Sequence, residues 1–113
     1  MAEKILKNID LDTVLDTASL VSYQEGQIVS RTLVQNRGVS MTLFAFDAGE
    51  EISSHESKGD AFIYVLDGTA SITVGGKFHT VTAGQSIVMP AGIPHAVESK
   101  ERFKMLLVVV FPA

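Results

Sequence analysis

Residues 49–68 read GEEISSHESKGDAFIYVLDG, and the stretch reads like half of a metal site with letters missing. A glycine stands at each end and His55 stands where a ligand would. Ser57 follows two residues later, and Ala61 fills the next place where a carboxylate would serve. Its second half, DAFIYVLDG at 60–68, is rich in apolar, aromatic and β-branched residues, and reads as a strand.

Outward from it the same signal recurs about every ten residues, punctuated by glycine, as in an all-β sandwich or barrel. TASITV (69–74) and KFHTVT (77–82) flank Gly75-Gly76, the clearest hairpin of the chain, because a primed two-residue turn needs the positive φ that glycine supplies. Pairing Val74 with Lys77 sets Ile72 opposite His79 and Ala70 opposite Val81. One face is then apolar and carries His79, and the other carries Ser71, Thr73, Phe78 and Thr80. QIVSRTLV (27–34), VSMTLFAFD (39–47), SIVM (86–89) and the run RFKMLLVVVF (102–111) complete the predicted strands. Helix is scarce: Asp10 can cap a turn or two within DLDTVLDTASL (10–20), which would place Leu11, Val14 and Leu15 on one side.

AFIYVL (61–66) and MLLVVV (105–110) are apolar on both faces, so each needs a second cover. A homodimer supplies one. The other choice is the N-terminal segment folded across the outer face.

At 113 residues, with 46% apolar and 19% charged, the chain is expected to form one packed domain, an N-terminal segment (1–26) followed by a barrel core (27–113). The net charge of -4 offers no footprint for nucleic acid or anionic lipid. Without cysteine there is no disulfide, thiolate site or cysteine nucleophile. MAEKILKNIDLD (1–12) lacks the apolar region of a signal peptide, and MLLVVVF (105–111) falls far short of the roughly 20 residues that span a bilayer. A soluble cytoplasmic protein with no membrane or nucleic-acid partner is expected.

The frame of residues 49–68 has a companion. Gly84, Pro90, Gly92 and His95 follow one another at intervals of five, one and two residues. Together the two frames resemble the paired motifs of the cupin family, G-x5-H-x-H-x(3,4)-E-x6-G and G-x5-P-x-G-x2-H-x3-N, over residues 49–68 and 84–99. Within the family the chain looks like the small single-domain cupins of the type 2 group. The resemblance implies a double-stranded β-helix, or jelly-roll barrel, preceded here by one short N-terminal helical turn. It also implies that three histidines and a glutamate converge inside the barrel on a divalent metal, commonly manganese, iron, nickel, copper or zinc.

Carried across by position, His55 matches the first ligand and His95 the last. Ser57 replaces the second histidine, Ala61 the glutamate, and Ser99 the asparagine. A hydroxyl is a poor ligand at neutral pH and a methyl is none, so two protein donors remain of four. Ser57 and Ala61 are then expected to line the pocket. Asp60 could fill the carboxylate slot if Gly59 allowed a bulge. Glu56 alternates out of phase with His55. His79 reads first as a core histidine and, if its face is the barrel interior near the other two, as a third ligand.

Such a cavity suits a small organic molecule, a weakly held divalent ion, or both. The alternative is a metal-dependent enzyme, a dioxygenase or isomerase, in which oxygens of a small polar substrate complete the shell. In a third reading the barrel holds no metal, and His55 or His95 serves as acid, base or hydrogen-bond partner.

Overall fold

The computed structural model describes residues 4–113. Eight strands follow a short 3-10 turn at Thr17–Leu20: β1 (Ile28–Gln35), β2 (Val39–Phe46), β3 (Glu51–His55), β4 (Asp60–Val74), β5 (Lys77–Thr82), β6 (Ser86–Met89), β7 (His95–Glu98) and β8 (Phe103–Val110). All neighbours pair antiparallel.

Two sheets face each other, and β4 belongs to both. Its first half, Asp60–Gly68, pairs with β8 and β6, so one sheet runs β1-β2-β8-β4-β6. Its second half, Thr69–Val74, pairs with β5 and β7, so the other runs β3-β7-β4-β5. The corner is Gly68. Its φ is +72°, and a Cβ built there would lie 2.1 Å from the Arg102 carbonyl oxygen. Only glycine can turn the strand so close to that backbone. The chain is thus an all-β jelly-roll barrel.

The Gly75-Gly76 hairpin has the register expected from sequence, with Ile72 opposite His79 and Ala70 opposite Val81. Between the sheets, Phe46, Ile63, Val65, Ile72, Phe103 and Met105 are fully buried. Phe46 and Phe103 stack with ring centroids 4.5 Å apart. Each inward side chain of this size contributes about 1.5–3 kcal/mol relative to exposure.

In the N-terminal segment the short helical turn expected within 10–20 is present, as a 3-10 turn at the end of that range rather than at Asp10. Only Thr17–Leu20 turns, while Leu11 and Val14 are exposed. Asp12 has a φ of 53°, a left-handed conformation that interrupts any helix through that residue. The segment instead crosses the outer face of the β1-β2-β8-β4-β6 sheet, where Ile9, Leu20, Val21 and Tyr23 pack over Leu33, Leu43 and Ala45. Polar clasps hold it down. The Lys7 amide donates to the Leu33 carbonyl, Lys104 Nζ to the Ala18 carbonyl, and Tyr23 Oη to Asp67. Burial and the Asp67 bond together push the Tyr23 phenol well above its ordinary range. Half of that outer face is therefore covered from within the chain. Among the described residues no helix is long and apolar enough to cross a membrane.

Candidate functional site

β3 and β7 pair at one end of the barrel, and their register decides where the histidines point. Glu51 lies opposite Glu98 and Ile52 opposite Val97, then one extra residue intervenes on β3 before His55 meets His95. His55 comes three positions after Ile52, so unbroken alternation would turn the two to opposite faces. The bulge at Ser53–Ser54 cancels the odd spacing and brings His55 inward beside His95. It also aims the Ser53 carbonyl at the ring, 3.0 Å from His55 Nδ1.

His95 is held the same way, with Nδ1 3.2 Å from the Ile93 carbonyl. A carbonyl oxygen only accepts, so in the neutral rings both Nδ1 atoms carry the proton and both Nε2 atoms present bare lone pairs. Those two Nε2 atoms are 3.1 Å apart, with the rings edge to face at 69°. Neither can donate to the other. The pair is satisfied by something positive between them, a shared proton or a cation.

The imidazoles form the polar wall of a cavity of about 230 Å³. Its remaining wall is mostly apolar: Ile52 and Val97 from one sheet, Ala61, Ile63, Met89, Met105, Leu107 and Val109 from the other, with Ser57 and Glu56 beside His55. His95 sits deep, 3% exposed, whereas His55 is open to solvent at the mouth. Burial holds the His95 imidazolium below the usual histidine range; the Ile93 carbonyl opposes this and the nearby His55 adds to it.

The expected neighbours sort themselves clearly. Ala61 is buried and faces the cavity, leaving open the room a longer side chain would fill. Ser57 lines the wall; its hydroxyl accepts from the Gly59 amide and its carbonyl from the Gly92 amide, tying the β3–β4 loop to the loop that presents His95.

Asp60 does not enter the cavity. Residues 60–65 pair with β8 in unbroken register, so Asp60 takes the outer face, and its carboxylate accepts from the Ala91 amide at 2.8 Å. Gly59 makes no bulge there. It is required because a Cβ would stand 2.5 Å from the Val110 carbonyl oxygen. His79 is also elsewhere, in a shallow depression with Thr80, Ser86 and Ile87 along the gap between β5 and β6. Ser99, in the asparagine position, is buried and donates to the Glu101 carbonyl while its backbone holds Gly49 and Glu50. Its role is to close a turn. Glu56 is the lining residue that alternation misplaced: β3 ends at His55, so the period of two does not extend to it.

Among the described residues no group of three His, Cys, Asp or Glu side chains is placed to hold one metal ion. What is placed is a two-nitrogen half-site. With metal–nitrogen bonds of about 2.0–2.1 Å, a 3.1 Å separation corresponds to an angle of roughly 100° at a shared cation, within reach of tetrahedral or octahedral coordination. The residues present therefore fit a divalent ion whose other ligands are not side chains of this cluster.

A sequence profile described as the cupin domain matches residues 42–111. Among solved structures, a conserved protein of unknown function from Streptococcus pyogenes is 46% identical, with a TM-score of 0.97 over 100% of this chain and 99% of that one. A cupin superfamily protein from Desulfitobacterium hafniense is 34% identical, with a TM-score of 0.90 over 95% of this chain and 98% of that one. An uncharacterized protein of Streptomyces coelicolor is 33% identical over 79 residues, 70% of this chain and 75% of that protein. Profile, sequence and structure agree that this chain belongs to the cupin family, as a small member of its type 2, conserved-barrel group.

Proposed function

We propose that the protein binds a small organic molecule in the barrel cavity, oriented by His55 and His95, with a weakly held divalent ion shared between their Nε2 atoms. The observation that carries this reading is the pair of lone pairs 3.1 Å apart on the wall of an otherwise largely aliphatic cavity. Polar groups are few and convergent while the rest of the wall is apolar, the composition of a small-ligand site. At about 230 Å³ it lies below the roughly 300–1,000 Å³ of drug-sized pockets, so the ligand is a small one.

Two neutral imidazoles favour zinc, nickel or copper over magnesium or calcium. The carbonyls on Nδ1 fix both tautomers and keep the Nε2 lone pairs available, as outer-shell partners do for metal-ligating histidines. A bound ion would act as a Lewis acid on an oxygen of the ligand. The chain itself orients that oxygen through the two rings and shields the apolar remainder of the molecule with Ile63, Met89, Val97 and Met105. With Ala61 in the carboxylate position, nothing buried beside the rings neutralises the ion, so binding is favoured over turnover.

Titration calorimetry of metal-free protein with zinc or nickel chloride tests the reading. One ion per chain, lost in both His55→Ala and His95→Ala while His79→Ala is unchanged, is expected. Binding that survives the His55 and His95 substitutions would refute it.

A further inference from the structure

The sheet that faces the two rings brings sulfur to the cavity. Met89, the last residue of β6, is 2% exposed and lines the cavity wall. Its partner across the strand pair is Ala61, which stands where the family motif carries its glutamate. A methyl leaves that position open, and the side chain bordering it is a thioether.

Backbone contacts bring Met89 and His95 to the same end of the barrel. The two flank one loop, residues 90–94, whose Ala91 amide donates to the Asp60 carboxylate at 2.8 Å and whose Gly92 amide donates to the Ser57 carbonyl at 2.9 Å. Met89 therefore enters from the β4-β6 side and the histidines from the β3-β7 side, between sheets that pack about 10 Å apart. Met105 also lines the cavity, but its partner on β4 is Val65. That is about 13 Å along the strand from Ala61, further from the histidine end.

The charge of the site is an independent observation. The donors inside are neutral, two imidazoles and a thioether, and Glu56, the one acid of the lining, is exposed at the mouth. Moving an ion from water into a largely aliphatic space costs a solvation energy that rises with the square of its charge. A dication therefore costs about four times as much as a monocation of equal size. With no buried carboxylate to offset that cost, the cavity discriminates against divalent ions. Thioether sulfur is a soft, polarizable donor. Soft sulfur selects cuprous copper, and imidazole suits copper as well, whereas hard cations take oxygen.

We infer that the ion this cavity holds most tightly is monovalent copper, shared by the Nε2 atoms of His55 and His95, with Met89 Sδ as its third protein donor. The inference rests on the reading of the two rings as a metal half-site, and adds to it the charge of the ion and a ligand on the opposite sheet. His55, open to solvent at the mouth, offers the way in, while the buried His95 and Met89 keep the ion out of water.

Anaerobic titration of the full, metal-free chain into the coloured cuprous bicinchoninate complex reads the copper affinity, and calorimetry with zinc chloride reads that for zinc. One cuprous ion per chain, held at least about tenfold more tightly than zinc, is expected. Met89→Leu, close to volume-conserving, should lower the ratio of cuprous to zinc affinity at least about tenfold. Met41→Leu, in the cluster beneath the N-terminal segment, should leave the ratio as it is. X-ray absorption of the copper-loaded chain should show a sulfur neighbour that Met89→Leu removes; should that variant not fold, Met89→Ile replaces it. Zinc bound by the two histidines with cuprous copper no tighter, a ratio unmoved by Met89→Leu, or a copper site without sulfur would overturn this inference and leave the half-site standing. A chain that takes up neither metal, or binds both as well in His55→Ala and His95→Ala, would overturn the two together.

Discussion

Acidification tests the environment of His95 directly. A histidine in the unfolded chain titrates near 6.5. Folded, His95 is 3% exposed, and burial, with His55 alongside, holds its pKa lower. Between the two values the unfolded chain binds a proton that the folded chain refuses, so stability rises with pH in that interval. The contribution is complete above about pH 6.5 and is lost as pH falls toward the folded pKa. One proton gives a slope of at most about 1.4 kcal/mol per pH unit, or roughly 4–8 °C of melting temperature for a chain of this size.

The window is separate from that of the principal carboxylate clasp. Asp47 accepts hydrogen bonds from Arg102 Nε and the Gly26 amide, which lower its pKa, the first more than the second. Its contribution is complete above the ordinary carboxylate value of about 3.9 and is lost only below that. Thermal melts by circular dichroism between about pH 5 and 7.5, in chelator, would compare the wild type with His95→Gln. The wild type should lose stability on acidification more steeply than the variant. Adding zinc should steepen the wild-type slope further, since the ion and the proton compete for the same lone pairs. Equal slopes in the two proteins would refute this account of the buried ring.

Ala61→Glu should place a carboxylate in the room beside the imidazole pair, raising nickel or zinc affinity by roughly tenfold or more. In the metal-free state it should cost about 1–3 kcal/mol for the buried carboxyl; competition with a chromophoric chelator and urea unfolding read the two effects. Gly68→Ala would set a methyl against the Arg102 carbonyl at a positive φ and should destabilise the chain by more than about 2 kcal/mol in urea unfolding. A near-neutral result would mean that the β4 corner relaxes easily between the two sheets.

Much of the barrel was legible in the chain because its signals are local. The Gly75-Gly76 turn specifies its own geometry, and the register that follows placed Ile72 and His79 without reference to anything distant. The frames around His55 and His95 likewise identified the two rings that meet, because turn glycines and prolines at fixed spacing constrain the backbone wherever the fold carries them. Short β3 and β7 are not legible as strands, since four or five residues with Ser53, Ser54 and Glu56 nearby carry little periodic signal.

What the amino-acid order alone determined is therefore an all-β chain of strands and glycine turns, two candidate ligand histidines, and Ser57 and Ala61 at two positions where the family motif carries ligands. Only the tertiary structure decided that a bulge at Ser53–Ser54 turns His55 inward, that Glu56 joins the wall while Asp60 is spent on the Ala91 amide, and that His79 lies at another edge. It alone showed the N-terminal segment packed as an irregular strap over one half of a sheet. The physical reason is common to all of these. Alternation predicts a face only while a strand remains regular, and bulges, strand ends and close backbone approaches are set by partners distant in sequence, as His95 is forty residues from His55.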